Sequence, residues 1–157
     1  MSFKPPAHRL EYLGKYNGAI VYDDSKATNL PSVEGALKAL NGGNILILMG
    51  GRNKDLDFDE FFRKGYKLTQ VLCFGEAGQE IYDSAKRHNY DALLFDKMID
   101  ACEYVKECAV ENMIILLSPA CASFDEFASY AVRGEQFKEY IFGEAKITQK
   151  DWFKFQF

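Results

Sequence analysis

The sequence lacks the two glycine-rich motifs that most often hold nucleotide phosphates. Neither GxxxxGK[ST] nor GxGxxG occurs among its 157 residues. The first motif forms the loop that cradles ATP phosphates, and the second marks the turn that binds the pyrophosphate of a dinucleotide. The chain therefore carries no motif for binding ATP in the manner of a phosphate loop, and none for a dinucleotide cofactor.

Residues that could form a structural metal site are also scarce. The four cysteines have no CxxC spacing, and the two histidines, His8 and His88, lie far apart in the sequence. A structural zinc site is therefore not expected, and no metal ligand is predicted. Cys73 and Cys121 stand in apolar surroundings and are predicted to be core residues. Reduced thiols are typical of a cytosolic protein.

Charge and hydropathy argue against two further classes of protein. The net charge is -4 and there is no basic stripe, which argues against a general nucleic-acid surface. The longest apolar run, residues 45–49, is far too short to span a bilayer. Residues 1–6 lack the apolar segment of a secretory signal. We therefore expect a cytoplasmic protein that binds neither nucleic acid nor membrane.

What the chain does contain is an alternation of short apolar runs and amphipathic segments. The apolar runs are residues 45–49, 68–74, 92–95 and 113–117. The segments with helical spacing are residues 31–40, 58–64, 78–88, 97–109 and 125–142. Apolar strands between amphipathic helices indicate a parallel sheet covered on both faces. We predict an α/β fold with a doubly wound, mostly parallel, Rossmann-like sheet.

The two ends of the chain depart from this alternation. Residues 9–16 alternate loosely and end at Asn17-Gly18, so an antiparallel hairpin with residues 19–22 as its second strand is predicted. Residues 146–157 crowd four aromatics into the last six positions. We interpret residues 1–145 as one domain and residues 146–157 as a tail packed on it. An exposed patch that meets another domain or chain is the alternative.

Three polar segments follow predicted strands. They are residues 24–29 (DSKATN), 50–54 (GGRNK) and 118–125 (SPACASFD). Because the carboxyl ends of parallel strands meet at one edge of a sheet, we expect these segments to converge where such folds bind ligands. Each segment alone has a structural interpretation: Thr28 or Asn29 could cap a helix, and the glycines could form a turn beside a solvated lysine.

Together with residues 8–11 (HRLE) and 133–137 (RGEQF), these segments resemble the UDP-N-acetylmuramoyl-L-alanine:D-glutamate ligases of the Mur ligase family. The motifs stand in the family's order and at roughly its spacing, over about residues 3–142. The family has a UDP-sugar domain, an ATPase domain and a C-terminal amino-acid-binding domain. The resemblance covers only the third, and a Mur ligase for a different amino acid fits the first and last polar segments less well.

The resemblance implies a ligase that works with ATP and Mg²⁺. In the whole enzyme the carboxylate of UDP-MurNAc-L-alanine would be phosphorylated, and the amine of D-glutamate would attack the acyl phosphate. The expected partners are D-glutamate, and ATP and UDP-MurNAc-L-alanine through domains that this chain lacks. The chain starts near the end of the family's ATPase domain, so we expect it to be inactive alone and to bind no cofactor. A free-standing binding or regulatory module is the alternative.

The resemblance also implies roles for individual residues. The residues expected to contact D-glutamate are Thr28, Lys54, Ser123, Phe124 and Tyr130. Lys54 would pair with a carboxylate, while Thr28 and Ser123 would donate hydroxyl hydrogen bonds. Helix capping is the structural alternative for both hydroxyls. Tyr130 stands where the family often has Phe, a ring that helps close the pocket.

A second group of residues is expected on the nucleotide side. These residues are Arg9, Asn17 and Asp24, with Lys26 as the catalytic cation near the transferred phosphate or the acyl phosphate. A guanidinium suits phosphate oxygens, and a cation beside developing charge stabilises it. The alternative for Arg9 is a solvated charge at the edge of a strand.

Overall fold

A computed structural model describes residues 6–52 and 54–143 of the chain. Strands and helices alternate along this part of the sequence. In chain order they are β1 (Glu11–Tyr16), β2 (Ala19–Asp23), α1 (Leu30–Leu40), β3 (Asn44–Gly50), α2 (Phe58–Arg63), β4 (Gln70–Phe74), α3 (Gly78–Arg87), β5 (Ala92–Leu94), α4 (Met98–Cys108), β6 (Met113–Ala120) and α5 (Tyr130–Phe142). The aromatic tail predicted at residues 146–157 lies outside the described residues.

The strands form one sheet in the order β1-β2-β6-β3-β4-β5. β1 and β2 pair antiparallel, and every other neighbouring pair is parallel. The last strand in the sequence, β6, lies between β2 and β3. The predicted α/β fold, with a mostly parallel sheet and an antiparallel hairpin, is confirmed.

The hairpin turn follows from its two residues. Asn17 has a φ of 49° and Gly18 a φ of 84°. A two-residue turn with positive φ at both positions matches the twist of the flanking strands, and Asn-Gly is the pair that adopts it most readily. This turn sends the chain back into β2 and fixes the register of the first two strands.

The sheet separates two apolar layers, and β3 supplies side chains to both. Ile45, Ile47 and Met49 pack into the layer under α1, α2 and α3. Leu46 and Leu48 face the opposite layer, under α4 and α5. Consecutive strand residues point to opposite faces, so an uninterrupted apolar strand is what a sheet covered on both sides requires.

Two boundaries differ from the prediction by three residues or more. β6 continues through Ala120, so Ser118 lies in the strand and not in the loop after it. Helix α5 begins at Tyr130, five residues later than predicted. The backbone oxygen of Ser123 accepts hydrogen bonds from the amides of Glu126 and Phe127, which closes a separate turn. Ser129 then caps the helix by accepting from the Val132 amide.

Helix α1 is capped at its start by Asn29, one of the two capping residues considered from the sequence. The side chain of Asn29 accepts a hydrogen bond from the Ser32 amide, and Pro31 stands in the first turn. Asn29 is therefore the cap, and the hydroxyl of Thr28 is not needed for it. In the described part of the chain, no helix has the length and apolar content to cross a bilayer.

Candidate functional site at the carboxyl edge of the sheet

The three polar segments meet at one edge of the sheet, as expected. The amide of Asp24, after β2, donates to the oxygen of Leu117 in β6 at 2.8 Å. The amide of Arg52, after β3, donates to the oxygen of Ala122, after β6, also at 2.8 Å. Each segment is thus fixed to its neighbour by a backbone hydrogen bond, and together they form one continuous rim.

Gly51 allows two of these segments to touch. Its φ is +135°, and an added Cβ would lie 2.3 Å from the Ala122 oxygen and 2.9 Å from the Cys121 Cβ. Any larger residue would push the segment after β3 away from the segment after β6. The glycine is therefore required by the close approach of two backbones as well as by the conformation of its own.

A cleft of about 320 Å³ opens between the segment after β2 and helix α1. Three residues predicted on the nucleotide side line it together: Arg9, Asp24 and Lys26. The remaining lining residues are Leu10, Ala27, Ser32, Gly35 and Ala36. The cleft thus carries two cationic side chains beside small residues of α1, which suits a ligand with a phosphate or another anionic group.

The carboxylate of Asp24 forms the buried floor of this cleft. Only 4% of the residue is exposed. One carboxylate oxygen accepts from the Leu10 amide at 2.9 Å, and the other accepts from the Ser118 hydroxyl at 2.8 Å. Burial raises the pKa of Asp24 above its usual value. Each oxygen keeps a lone pair, so a ligand hydroxyl could bond to Asp24 without displacing the protein's own donors.

Lys26, which lines the cleft, lies beside Tyr130. The Lys26 ammonium is 5.9 Å from the centre of the Tyr130 ring. The Lys26 amide donates to the His8 oxygen at 3.0 Å, and the Tyr130 oxygen accepts from the Ser25 hydroxyl at 2.7 Å. These bonds fix both backbones, while the side chains remain partly exposed and free to meet a ligand.

Ser123 has a buried hydroxyl with no partner. The residue is 2% exposed, and its Oγ makes no hydrogen bond within the described part of the chain. Helix capping does not explain it, because Ser129 caps α5. Buried hydroxyls are nearly always paired, so an orphan at a rim indicates a ligand acceptor. The next residue, Phe124, is 61% exposed and stands at the same rim.

Lys54 lies on the same side of the sheet as Ser123. Its side chain is exposed. Its positive charge acts on the Cys121 thiol, although burial still raises the pKa of Cys121 to about 12. An exposed ammonium and an unpaired hydroxyl on neighbouring segments of one rim are suitable groups for a carboxylate ligand.

The structure does not bring Asn17 to this site. Asn17 occupies the hairpin turn at the amino end of β2, whereas Asp24 follows the carboxyl end. The whole of β2 separates them. Asn17 was expected beside the nucleotide; the structure places it in the turn with positive φ, and it does not line the cleft of Arg9 and Lys26.

Arg133 is a residue whose role the sequence analysis missed. It is fully buried on α5, and its guanidinium donates to the Ser25 hydroxyl, the Ser25 oxygen and the Cys121 oxygen. Burial lowers its pKa to about 10. A signal for this burial exists in the sequence, since Arg133 shares a helical face with Phe137 and Ile141 at four-residue spacing.

His8 is the second residue that was missed. Its Nδ1 lies 2.6 Å from a carboxylate oxygen of Asp23, and its Nε2 lies 3.5 Å from Glu135. Burial raises the pKa of Asp23. Ligand atoms of His8, Asp23 and Glu11 lie within 4.8 Å of one another. Nδ1 of His8 is bonded to Asp23, and Glu11 accepts from the backbone amide of His8 at 3.0 Å. Because the His8 backbone oxygen accepts from the Lys26 amide, this hydrogen-bonded cluster supports the segment that carries Lys26.

The chain is similar to known proteins along most of its length. Residues 8–121 match the family model described as Mur ligase, glutamate ligase domain. The UDP-N-acetylmuramoylalanine–D-glutamate ligase of Chlamydia abortus is 38% identical over 90% of this chain and 34% of the relative. The enzyme of the same name from Aquifex aeolicus is 35% identical over 88% of this chain and 34% of the relative.

Solved structures show the same fold at lower identity. MurF from Acinetobacter baumannii has a TM-score of 0.67 and 16% identity, over 90% of this chain and 32% of that protein. The UDP-N-acetylmuramate-alanine ligase MurC from Thermotoga maritima has a TM-score of 0.60 and 16% identity, over 84% of this chain and 29% of that protein. The chain spans about a third of the length of the curated relatives it matches. It belongs to the Mur ligase family and corresponds to its glutamate ligase domain.

Proposed function

We propose that this chain is the D-glutamate-binding domain of a UDP-N-acetylmuramoyl-L-alanine:D-glutamate ligase that acts in cytoplasmic peptidoglycan precursor synthesis. The support is its similarity to enzymes of that name and its coverage of about a third of their length. The domain holds the incoming amino acid, while activation of the other substrate with ATP belongs to the rest of the enzyme. The chain alone does not turn over.

The observation that carries this proposal is the orphan hydroxyl of Ser123. A buried donor without an acceptor is costly, and a ligand carboxylate would supply the missing acceptor. In the proposed complex Ser123 and Thr28 donate to D-glutamate, and Lys54 pairs with one of its carboxylates. Phe124 and Tyr130 supply partly exposed rings that cover the bound amino acid.

The nucleotide side of the proposal rests on the cleft that Arg9, Asp24 and Lys26 line. Arg9 reaches phosphate or ribose oxygens, Asp24 accepts from a ribose hydroxyl, and Lys26 stabilises negative charge on the transferred phosphate. No residue of this chain is assigned to Mg²⁺, because Asp23 already bonds the His8 ring and Glu11 already accepts from the His8 backbone amide. In this proposal ATP and Mg²⁺ are held mainly by the other domains.

The contribution of this domain to the reaction is positional. D-glutamate held by Ser123, Thr28 and Lys54 would present its amine to the acyl phosphate at fixed geometry. Attack of the amine nitrogen forms the C–N bond of the amide and breaks the C–O bond to the phosphate. The amine proton is lost to solvent, and Lys26 balances the charge of the departing phosphate. Holding two reactants together converts a bimolecular step into one within a single complex, and this effect can supply much of the rate enhancement.

Titration of the isotope-labelled chain with D- and L-glutamate tests the binding half of the proposal. The amide NMR signals of Thr28, Lys54 and Ser123 should shift with D-glutamate and much less with L-glutamate. Ser123→Ala should weaken the binding. Ser84→Ala is the matched control, because Ser84 is equally buried but donates to Asp59 on α2. Equal responses to both enantiomers would contradict a D-specific site.

Fusion to the missing domains tests the catalytic half. The chain replaces the corresponding segment of the Chlamydia abortus relative, and D-glutamate-dependent phosphate release is measured. We expect turnover from the fusion and none from the chain alone. Lys26→Ala should abolish turnover, whereas Lys38→Ala, an exposed lysine on α1, should leave it unchanged. A fusion that adds a different amino acid would overturn the substrate assignment.

A further inference from the structure

One buried cation joins two of the segments that form the rim. From helix α5, Nε of Arg133 donates to the Ser25 hydroxyl at 2.9 Å, and one terminal nitrogen donates to the Ser25 oxygen at 2.8 Å. The other terminal nitrogen donates to the Cys121 oxygen at 2.9 Å. A planar guanidinium fixes the directions of its donors, so these bonds set both the distance and the relative orientation of the two segments.

The acceptors of Arg133 are neutral oxygens, so the side chain is not explained as half of an ion pair. No carboxylate within the described residues lies at salt-bridge distance from it. Burying a charge is costly unless its donors are satisfied. What the guanidinium provides here is a rigid three-point link that no apolar residue of similar volume could form.

The linked positions stand next to the proposed binding residues. Ser25 precedes Lys26 by one residue and Thr28 by three, and Cys121 precedes Ser123 by two. Arg133 also lies close to the third polar segment, residues 50–54. A Cβ added at Gly51 would lie 3.1 Å from a terminal nitrogen of Arg133. The guanidinium therefore lies next to all three polar segments, but it does not line the cleft of Arg9, Asp24 and Lys26.

We propose that Arg133 is a positioning residue of the amino-acid site, which sets the hydroxyl of Ser123 against that of Thr28 so that both reach one ligand. This inference rests on the proposed binding of D-glutamate. Arg133 itself does not touch the ligand. Its effect passes through Ser25 and Cys121, and a positive charge without the planar guanidinium does not reproduce it.

Arg133→Lys keeps the positive charge but removes the planar guanidinium and its set of hydrogen-bond donors. We expect its D-glutamate affinity, measured by NMR titration, to fall roughly 10-fold, since hydrogen bonds to charged groups have effects of about this size. The stability control is a substitution of Ile45 by Ala or Val. The one used is the one whose loss of thermal stability matches that of Arg133→Lys. Ile45 is a buried residue at the amino end of β3, opposite the rim. The control should keep wild-type affinity.

A double-mutant cycle with Ser123→Ala distinguishes positioning from general destabilisation. If Arg133 acts by holding Ser123 in place, the losses of affinity in Arg133→Lys and Ser123→Ala will not add in the double variant. Additive losses, or an Arg133→Lys affinity equal to that of the Ile45 control, would overturn the inference and leave the proposed D-glutamate site intact.

A measurement without ligand keeps the inference testable if the chain binds no D-glutamate. Amide hydrogen exchange is followed at Ala27, which donates to the Asp24 oxygen, and at Arg52, which donates to the Ala122 oxygen. In Arg133→Lys, exchange at both should quicken roughly 10-fold relative to the Ile45 control, because the segments lose their common link. Equal exchange in the two variants would overturn the positioning role.

Discussion

At the scale of single residues, two buried serines differ in one respect. Ser84 and Ser123 are equally inaccessible, but the Ser84 hydroxyl donates to Asp59 at 2.6 Å while the Ser123 hydroxyl has no described partner. Ser123→Ala should therefore leave the free energy of unfolding unchanged or raise it by about 1 kcal/mol, because an unpaired buried polar group is removed. Ser84→Ala should lower it. Urea unfolding of both variants measures the contrast.

A loss of stability in Ser123→Ala as large as that in Ser84→Ala would mean that the Ser123 hydroxyl has a partner in the free protein. It would then no longer indicate a ligand. The comparison thus examines the basis of the proposed site by a route that needs no ligand at all.

The buried carboxylates near the cleft predict a dependence of stability on pH. Burial raises the pKa values of Asp23 and Asp24 above 3.8, so the folded state holds these protons more tightly than the unfolded state. Their contribution to stability therefore falls as the pH rises above 3.8 and through the folded pKa values. Asp24→Asn removes one titration and should lose less stability over this range.

Urea unfolding of both proteins at several pH values between about 4 and 7 tests this sign. Asparagine suits the comparison because its oxygen can still accept from the Leu10 amide, and its NH₂ can donate to the Ser118 hydroxyl. Parallel stability curves for the wild type and Asp24→Asn would show that Asp24 titrates at its ordinary value.

Sequence reasoning located some residues of the site and missed others for physical reasons. Arg9, Asp24 and Lys26 were expected together because of the resemblance to the Mur ligases, and one cleft contains them. His8 and Arg133 were not assigned a role. Their importance comes from contacts across 15 and 108 positions of the chain, with Asp23 and Ser25, and spacing along the sequence does not predict such contacts.

At the scale of elements, two helical glycines should respond oppositely to the same change. A Cβ added at Gly35 on α1 meets nothing within 4 Å, so Gly35→Ala should stabilise the protein by about 0.5–1 kcal/mol through helix propensity. A Cβ at Gly134 on α5 would lie 2.3 Å from Nδ1 of His8 and 2.5 Å from Asp23. Gly134→Ala should destabilise by about 1–3 kcal/mol.

Thermal unfolding of the two variants checks this pair, with the wild type as the common reference. If both alanines were stabilising, His8 and Asp23 could move away from α5 without cost. The support of the segment that carries Lys26 would then be adaptable, and the close packing of α5 against it would not fix the site.

The elements themselves were largely predictable from apolar periodicity. Strand β3 was predicted to within one residue at each end, because an uninterrupted apolar run between polar segments has few other interpretations. The start of α5 was predicted five residues early. Residues 125–129 fit a helical pattern, but the Asp125 carboxylate accepts from the Glu76 amide at 3.0 Å, and that bond holds the segment against a neighbouring loop.

At the scale of the whole molecule, the cysteines report on both apolar layers. Cys73 and Cys121 belong to the layer under α1, α2 and α3, and Cys102 belongs to the opposite layer. Burial raises the pKa values of Cys73 and Cys121 to about 12, and it raises that of Cys102 as well. Because the thiolate is the reactive form, these three thiols should not react in the folded protein.

Cys108 is the partly exposed thiol of the four. A thiol reagent such as Ellman's should therefore modify one cysteine per native chain and all four after denaturation. Cys108→Ser should reduce the native signal to zero. A second reactive thiol in the native chain would identify the layer that opens, according to whether Cys73, Cys121 or Cys102 is labelled.

The position of β6 between β2 and β3 has a consequence for how the protein is made. A ribosome synthesises β2 and β3 early, yet these strands do not pair with each other in the sheet. The N-terminal hairpin is joined to β3 only through β6, so this part of the sheet can form only once residues 113–120 have been synthesised. Such long-range pairing is slow to form. The rim of the sheet, and with it the binding site, is therefore completed only when nearly the whole domain has been translated.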